Sequence, residues 1–290
     1  MNNENKIINF ELFRYQLLPL TQHIQLDMYP DEHFRDINTV EQLKAKKNEI
    51  FSHILSSFPK LHHRQSDLNR KIDLDLPPWF VVEINTQKTM QREREDFEKE
   101  RIDIWPHVVV IINNRPDVQL IAISKNHRAF ASGLTVAKII QENLGKVLQR
   151  YLLTIQVEAL FEGSEFWNLV DEYKGRITSV NFELISPNMS NISKALELDL
   201  AKLNADTNSH RTDLKLNSSE GGALEISDKN SLVNSLVDYS AEGGGDIEIK
   251  VKGIKKTVRT SKSVREISID EISVKNLTPD RLEWLFGQIK

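Results

Sequence analysis

Apolar and polar positions change rhythm several times along the chain, and each change marks an element. From Ile7 to Leu20 the apolar residues partly alternate, which predicts a strand ended by Pro19. Residues 21–38, with Pro30 among them, predict irregular chain. Thr39 followed three residues later by Gln42 forms a capping box, and Val40, Leu43, Ile50, Ile54 and Leu55 carry a helix to about Ser57, where Pro59 stops it. Residues 60–71 are polar and basic. Trp79 to Ile84, after Pro77-Pro78, predicts a short strand. Residues 88–103 mix both charge signs densely and predict an exposed helix or a surface excursion.

The clearest pattern follows. Val108 to Ile112 is apolar on both faces, as a fully buried strand requires. Asn113-Asn114-Arg115-Pro116-Asp117 is turn chemistry, and Val118 to Ile123 returns, so a hairpin is expected at the centre of the first core. Val136, Ile139, Ile140, Leu144, Val147, Leu148 and Tyr151 form one stripe of a helix from Thr135 to Leu153. A strand over 155–160, a helix from Ser164 (its cap) to Tyr173, and a strand from Ile177 to Ile185 come next. A helix from about Ile192 to Ala205 and a strand around Leu214 to Leu216 follow. Beyond them lie a helix over 229–239, a last hairpin with arms Asp246–Arg259 and Val264–Val274, and a helix opened by Thr278-Pro279.

Strands outnumber long helices and several are joined by hairpins. The expected class is α+β, with mainly antiparallel sheets and packed helices. A soft boundary near 155 divides an N-terminal α+β half (1–155) from a C-terminal α+β half (156–290) that carries a basic β-hairpin. Each half runs strand, helix, strand, strand, an order that two ferredoxin-like halves would share, although no residue-level repeat accompanies it.

Composition narrows the function classes. With 39% hydrophobic and 28% charged residues in 290, the chain can build a real core. A net charge of −4 gives no whole-chain basic field, so contact with nucleic acid would need a local patch. The absence of cysteine excludes disulfides, iron–sulfur clusters and thiol catalysis. The polar start and the lack of any long apolar run lead to the expectation of a cytoplasmic protein that binds no membrane. No histidine pair has the spacing of a helical metal site, while His62-His63-Arg64 and His127-Arg128 allow anion binding in polar loops. Nucleophile elbows, kinase motifs and dinucleotide fingerprints are missing.

Between Lys250 and Arg265 lie seven basic residues and no acidic one. Alternation breaks phase at Gly253, the signature of a bulge that twists a strand. A twisted ribbon bearing Lys252, Lys255, Lys256, Arg259, Lys262 and Arg265 on one face would follow a phosphate backbone. The competing reading is that these lysines blunt a sheet edge against aggregation. No aromatic residue interleaves with them, which argues against a base-stacking platform. Overlapping this run, Asp238 precedes Glu248-Ile249-Lys250, an arrangement similar to the core of restriction-endonuclease-like nucleases. In those enzymes two carboxylates hold Mg²⁺ and the lysine helps position the attacking water. Gly243-Gly244-Gly245 sits between helix and strand, the reverse of a phosphate loop, and reads as a C-cap and flexible connector.

The stretch Leu236-Val237-Asp238-Tyr239-Ser240-Ala241-Glu242-Gly243-Gly244-Gly245-Asp246 with the basic run after it, together with Phe10-Glu11-Leu12-Phe13-Arg14-Tyr15, resembles uncharacterised bacterial proteins encoded among phage-defence and mobile-element genes. The resemblance covers the last third and the first strand. It implies a bacterial cytosolic setting and, loosely, defence, and carries over no activity and no site residue. Three readings result. The first is a non-enzymatic binding or adaptor protein, without cofactor, that contacts nucleic acid or a protein partner through the basic hairpin. The second is an assembly subunit anchored by residues such as Trp79, Trp105, Trp167 and Trp284. The third is a Mg²⁺-dependent nuclease using Asp238, Glu248 and Lys250.

Overall fold

β1 (Ile7–Pro19) organises the molecule because it is apolar on both faces. Phe13, Tyr15 and Leu17 point into one core, while Phe10 and Leu12 point into another. Such a strand must be paired along both edges and covered on both sides. The computed structural model describes residues 7–21, 34–185, 200, 202–203, 206–207, 209–287 and 289, and shows how this is done.

The first core is closed by α1 (Val40–Ser57) and α2 (Gly133–Leu148), which pack on the Phe13 face. The Thr39–Gln42 capping box forms as expected. The strands between the helices are β2 (Leu61–His63), β3 (Ser66–Leu76), β4 (Trp79–Asn85), β7 (His107–Asn113) and β8 (Leu120–Ser124). With β9 (Leu153–Ala159) and β14 (Glu266–Asp270) they make an eight-stranded antiparallel sheet. Its order is β14-β1-β8-β7-β4-β3-β2, and β9 lies beside the second half of β1. The predicted central hairpin is β7–β8, with Val110 opposite Ile123.

A smaller sheet of order β11-β10-β12-β13 comprises β10 (Ile177–Ile185), β11 (Arg211–Asn217), β12 (Gly245–Val251) and β13 (Val258–Arg259). Helices α3 (Gly163–Glu172) and α4 (Ser231–Tyr239) cover one face, burying Phe166, Leu236 and Val237 against Phe182, Ile247 and Ile249. After β14 come α5 (Glu271–Lys275) and α6 (Pro279–Phe286). Leu282 and Phe286 of α6 cover the Phe10 face of the large sheet, with the Phe286 ring 6.0 Å from that of Trp79. The Arg115 guanidinium donates to both Glu283 carboxylate oxygens at 2.9 and 2.6 Å and fixes that helix. The class is thus mixed α+β with antiparallel sheets.

Several local expectations are corrected. The basic segment 60–71 holds β2 and the start of β3, because Leu61 and Leu68 are buried opposite one another. The charge run is a surface excursion but not a helix. It is an exposed two-stranded ribbon of β5 (Lys88–Glu93) and β6 (Lys99–Ile104). The α3 N-cap is Glu162, without a side-chain capping bond, rather than Ser164. The long helix ends at Leu148 and continues as a 3₁₀ turn to Tyr151. Most of the helix expected over 192–205, and the middle of 21–38, lie outside the described residues.

The largest correction concerns the last hairpin. β12 is its first arm, but the second arm leaves the small sheet. The Asp246 carboxylate accepts from Ile247 N, Thr260 Oγ1, Ser261 N and Ser261 Oγ at 2.7–3.0 Å, pinning a 3₁₀ turn after β13. Arg265 N then donates to Leu160 O at 2.6 Å, and β14 pairs with β1, Ile8 opposite Ile269. An apolar strand with half an edge open is a stronger attractor than a short polar ribbon. The soft boundary near 155 falls inside β9, and the segment after Arg265 belongs to the large sheet.

Candidate functional site

The alternating side chains of β12 separate by face. Ile247, Ile249 and Val251 join the core under α4, whereas Asp246, Glu248 and Lys250 face the other way. Asp238 is exposed on α4, the helix that covers the Ile247 face. The sheet therefore lies between Asp238 and the Glu248–Lys250 pair, and the three nuclease candidates do not meet. Glu248 instead forms an ion pair with Arg259. Among the described residues no group of three or more His, Asp or Glu is placed to hold a metal ion.

The basic run divides into two clusters. Arg259 is taken up by carboxylates, reaching Asp246 at 3.1 Å and Glu183 at 3.6 Å in addition to Glu248. Arg265 pairs with Glu162 at 2.8 Å and Glu242 at 3.4 Å. Lys262 is exposed on the 3₁₀ turn near Asp246. Toward the other end of β12 and in the turn after it lie Lys250, Lys252, Lys255 and Lys256, Lys250 about 7 Å along the strand from the Glu248 that faces Arg259; all four are exposed and none is in an ion pair among the described residues. The structure thus keeps three of the six anticipated phosphate-binding residues in one place and diverts two into structural pairs.

The lysine cluster gains two residues that lie far away in the chain. Pairing of Ile177 with Val251 brings the turn after α3 beside the turn after β12. Lys252 N donates to Arg176 O at 2.8 Å, and Arg176 Nη2 donates to Lys252 O at 3.2 Å. This reciprocal bond fixes the loop. It adds exposed Arg176 and its neighbour Lys174 to the positive surface. The Arg176 guanidinium also lies 6.0 Å from the Tyr173 ring centre. Nothing near Arg176 in the sequence marks it, because the link is a sheet register.

Behind the paired face of β12 is a polar layer against the large sheet. Arg14, almost fully buried, donates to Val118 O at 3.1 Å and faces Glu242 at 3.6 Å. Glu158 of β9 is pushed up to about 7, first by burial, then by the neighbouring Asp246 and Glu183, with Arg211 and Lys138 opposing. These groups lie between the two sheets and hold them together.

A second positive region surrounds the loop that enters α2. His63, Arg64 and Lys88 line a cleft of about 480 Å³ together with His127. His127 also borders a neighbouring cleft of about 760 Å³ with His107, Lys125, Arg128 and Glu271, where Lys125 is paired with Glu266 at 2.6 Å. The two histidine–arginine loops legible in the sequence are therefore adjacent in space. His62 itself is turned away, paired with Asp67 at 2.5 Å.

No protein-family model matches this chain, and neither the curated proteins nor the solved structures contain a significant match to it.

Proposed function

We propose that this chain is a non-enzymatic binding or adaptor protein that contacts the phosphate backbone of a nucleic acid through Lys250 at the end of β12 and the following loop bearing Lys252, Lys255 and Lys256, joined by Arg176 and Lys174. The observation that carries the reading is that these lysines are exposed, unpaired among the described residues, and gathered where the Arg176–Lys252 bonds fix the loop after β12. A phosphate-tracking surface needs cations whose charge is not already neutralised. It also profits from a loop whose backbone is already ordered. With a net charge of −4 the chain as a whole does not attract polyanions, so such contact depends on a local patch. The setting implied by the resemblance, a bacterial cytoplasm with a role in defence, belongs to this proposal. No helix among the described residues is long and apolar enough to cross a membrane.

The test is fluorescence anisotropy with labelled duplex DNA, single-stranded DNA and RNA across a salt series. Binding that weakens with salt, and that drops in the triple variant K252A/K255A/K256A, supports the proposal. Salt-insensitive binding, or binding unchanged in the triple variant, removes it.

A second reading, a subunit of a larger assembly, is favoured by the β5–β6 ribbon. Met90, Ile102 and Ile104 share one face of it, and Phe97 at its tip is 83% exposed. Trp284 on α6 is 78% exposed. Exposed aromatic anchors of this kind are enriched at interfaces. Light scattering at high concentration, with the ribbon intact and with Phe97→Ser, separates a monomer from an assembly built through this tip.

A further inference from the structure

The cleft lined by His63, Arg64, Lys88 and His127 has a chemistry of its own. Ser66, Thr86, Gln87 and Thr135 also line it, and no carboxylate does. In a chain with more acidic than basic residues, a concave surface without a carboxylate is unusual. Arg64 and Lys88 are exposed and in no ion pair among the described residues, so their charges are available. Three hydroxyls supply neutral donors, while the Gln87 amide donates to Asp103 at 3.0 Å. His127 is oriented through Nδ1 to Ala131 O at 3.3 Å, leaving Nε2 for another partner.

The elements that meet here come from separate parts of the large sheet. Arg64 is the turn between β2 and β3, held at φ +57. Lys88 begins the exposed ribbon, and Thr135 lies in the first turn of α2. The α2 N-terminus itself is occupied, since Gly133 N donates to the buried Glu11 carboxylate. The positive character of the cleft therefore rests on side chains. Its floor is apolar, formed by Leu68, Ala129 and Phe130.

From this combination we infer that the cleft is a binding site for a small phosphorylated ligand of nucleotide size, its phosphates held by Arg64, Lys88 and the two histidines and its flat apolar part resting on Phe130 and Leu68. A volume of about 480 Å³ is of the order that buries such a ligand. Arginine offers a planar fork to phosphate oxygens and lysine a point charge, which is the usual division of labour at phosphates. The site is distinct from the lysine loop, which lies on the other sheet.

The experiment is calorimetric titration of the full chain with metal-free ATP and with inorganic pyrophosphate at low ionic strength. Three proteins are compared: the unmodified chain, R64N/K88Q, and K252A/K255A/K256A. Asparagine is chosen at 64 because it tolerates the left-handed backbone there. ATP is expected to bind the unmodified chain and the lysine-loop variant alike, and to bind R64N/K88Q at least about tenfold more weakly, as the loss of two charged hydrogen bonds requires. Pyrophosphate is expected to compete with ATP but to bind at least about threefold more weakly, since it cannot use the apolar floor. The single variant K88E, on the solvent-facing ribbon, repeats the test should the double variant melt early. Absence of heat with both probes overturns the inference, as does undiminished ATP binding in R64N/K88Q or K88E. Equal loss in the lysine-loop variant, or pyrophosphate binding as tightly as ATP, does so too.

Discussion

Glu158 is a carboxyl whose protonation changes near neutral pH. Burial and the carboxylates of Asp246 and Glu183 raise it from 4.5 to about 7. Between those values the folded chain holds a proton that the unfolded chain has released, so stability is greater at the acid end of this window and falls as pH rises through it. Glu158→Gln should flatten that slope and raise stability above pH 7 by about 1–2 kcal/mol, read from urea midpoints across pH. The glycines nearby act by contrast through backbone conformation and close packing. A Cβ at Gly243 (φ +84) would collide with that of Arg14, and one at Gly245 (φ +151) with the Glu183 carbonyl oxygen. Gly243→Ala and Gly245→Ala should each cost about 2–4 kcal/mol. Urea unfolding would show this, and midpoints within error of the unmodified chain would contradict it. The run Gly243-Gly244-Gly245 was legible as the end of a helix but not as a close-packed junction, because the atoms that crowd it come largely from β1 and β10. Connector flexibility, expected from composition, is excluded by burial of all three residues.

At the scale of elements, the charge of residues 250–265 was legible and its division was not. Local alternation predicts one ribbon with one face. What divides it is the Asp246 carboxylate, which anchors Thr260 and Ser261 and turns the chain away toward β1. Asp246→Ala would leave Thr260 Oγ1, Ser261 N and Ser261 Oγ without their acceptor and take one of three carboxylates from Arg259, at a cost of about 3 kcal/mol. Amide exchange should then quicken in β13 and the 3₁₀ turn before the rest of the small sheet. The lysine loop, held by Arg176 rather than by Asp246, should keep its binding in that variant. K252E/K255E/K256E should by contrast lower nucleic-acid affinity and reduce the magnitude of the salt slope by about 3, one unit for each lysine–phosphate pairing removed. The β5–β6 ribbon teaches a related lesson. Mixed charge signals exposure reliably, but exposure alone does not choose between a helix and a two-stranded excursion, and register along Met90↔Ile102 decided it.

Across the whole molecule, the elements with the purest patterns were found where the sequence placed them: β1, the capped α1, the β7–β8 hairpin, β10 and α6. What the pattern could not carry was partnership between distant segments. β9 and β14 share one edge of β1, and α6 covers the face below, so the large sheet draws on both ends of the described chain. A chain shortened after Ser263 should therefore lose its cooperative melting transition, whereas independent folding units would leave the large sheet intact; circular dichroism distinguishes the two. The same pairing has a consequence for biosynthesis. A strand that leaves the ribosome early waits for a much later one to complete its hydrogen bonds. In the interval an oily ribbon stays half-finished and open to strangers, and partners this remote in sequence join slowly. Yield in the cell should accordingly depend on translation speed and on holdase chaperones more than the stability of the finished protein would suggest.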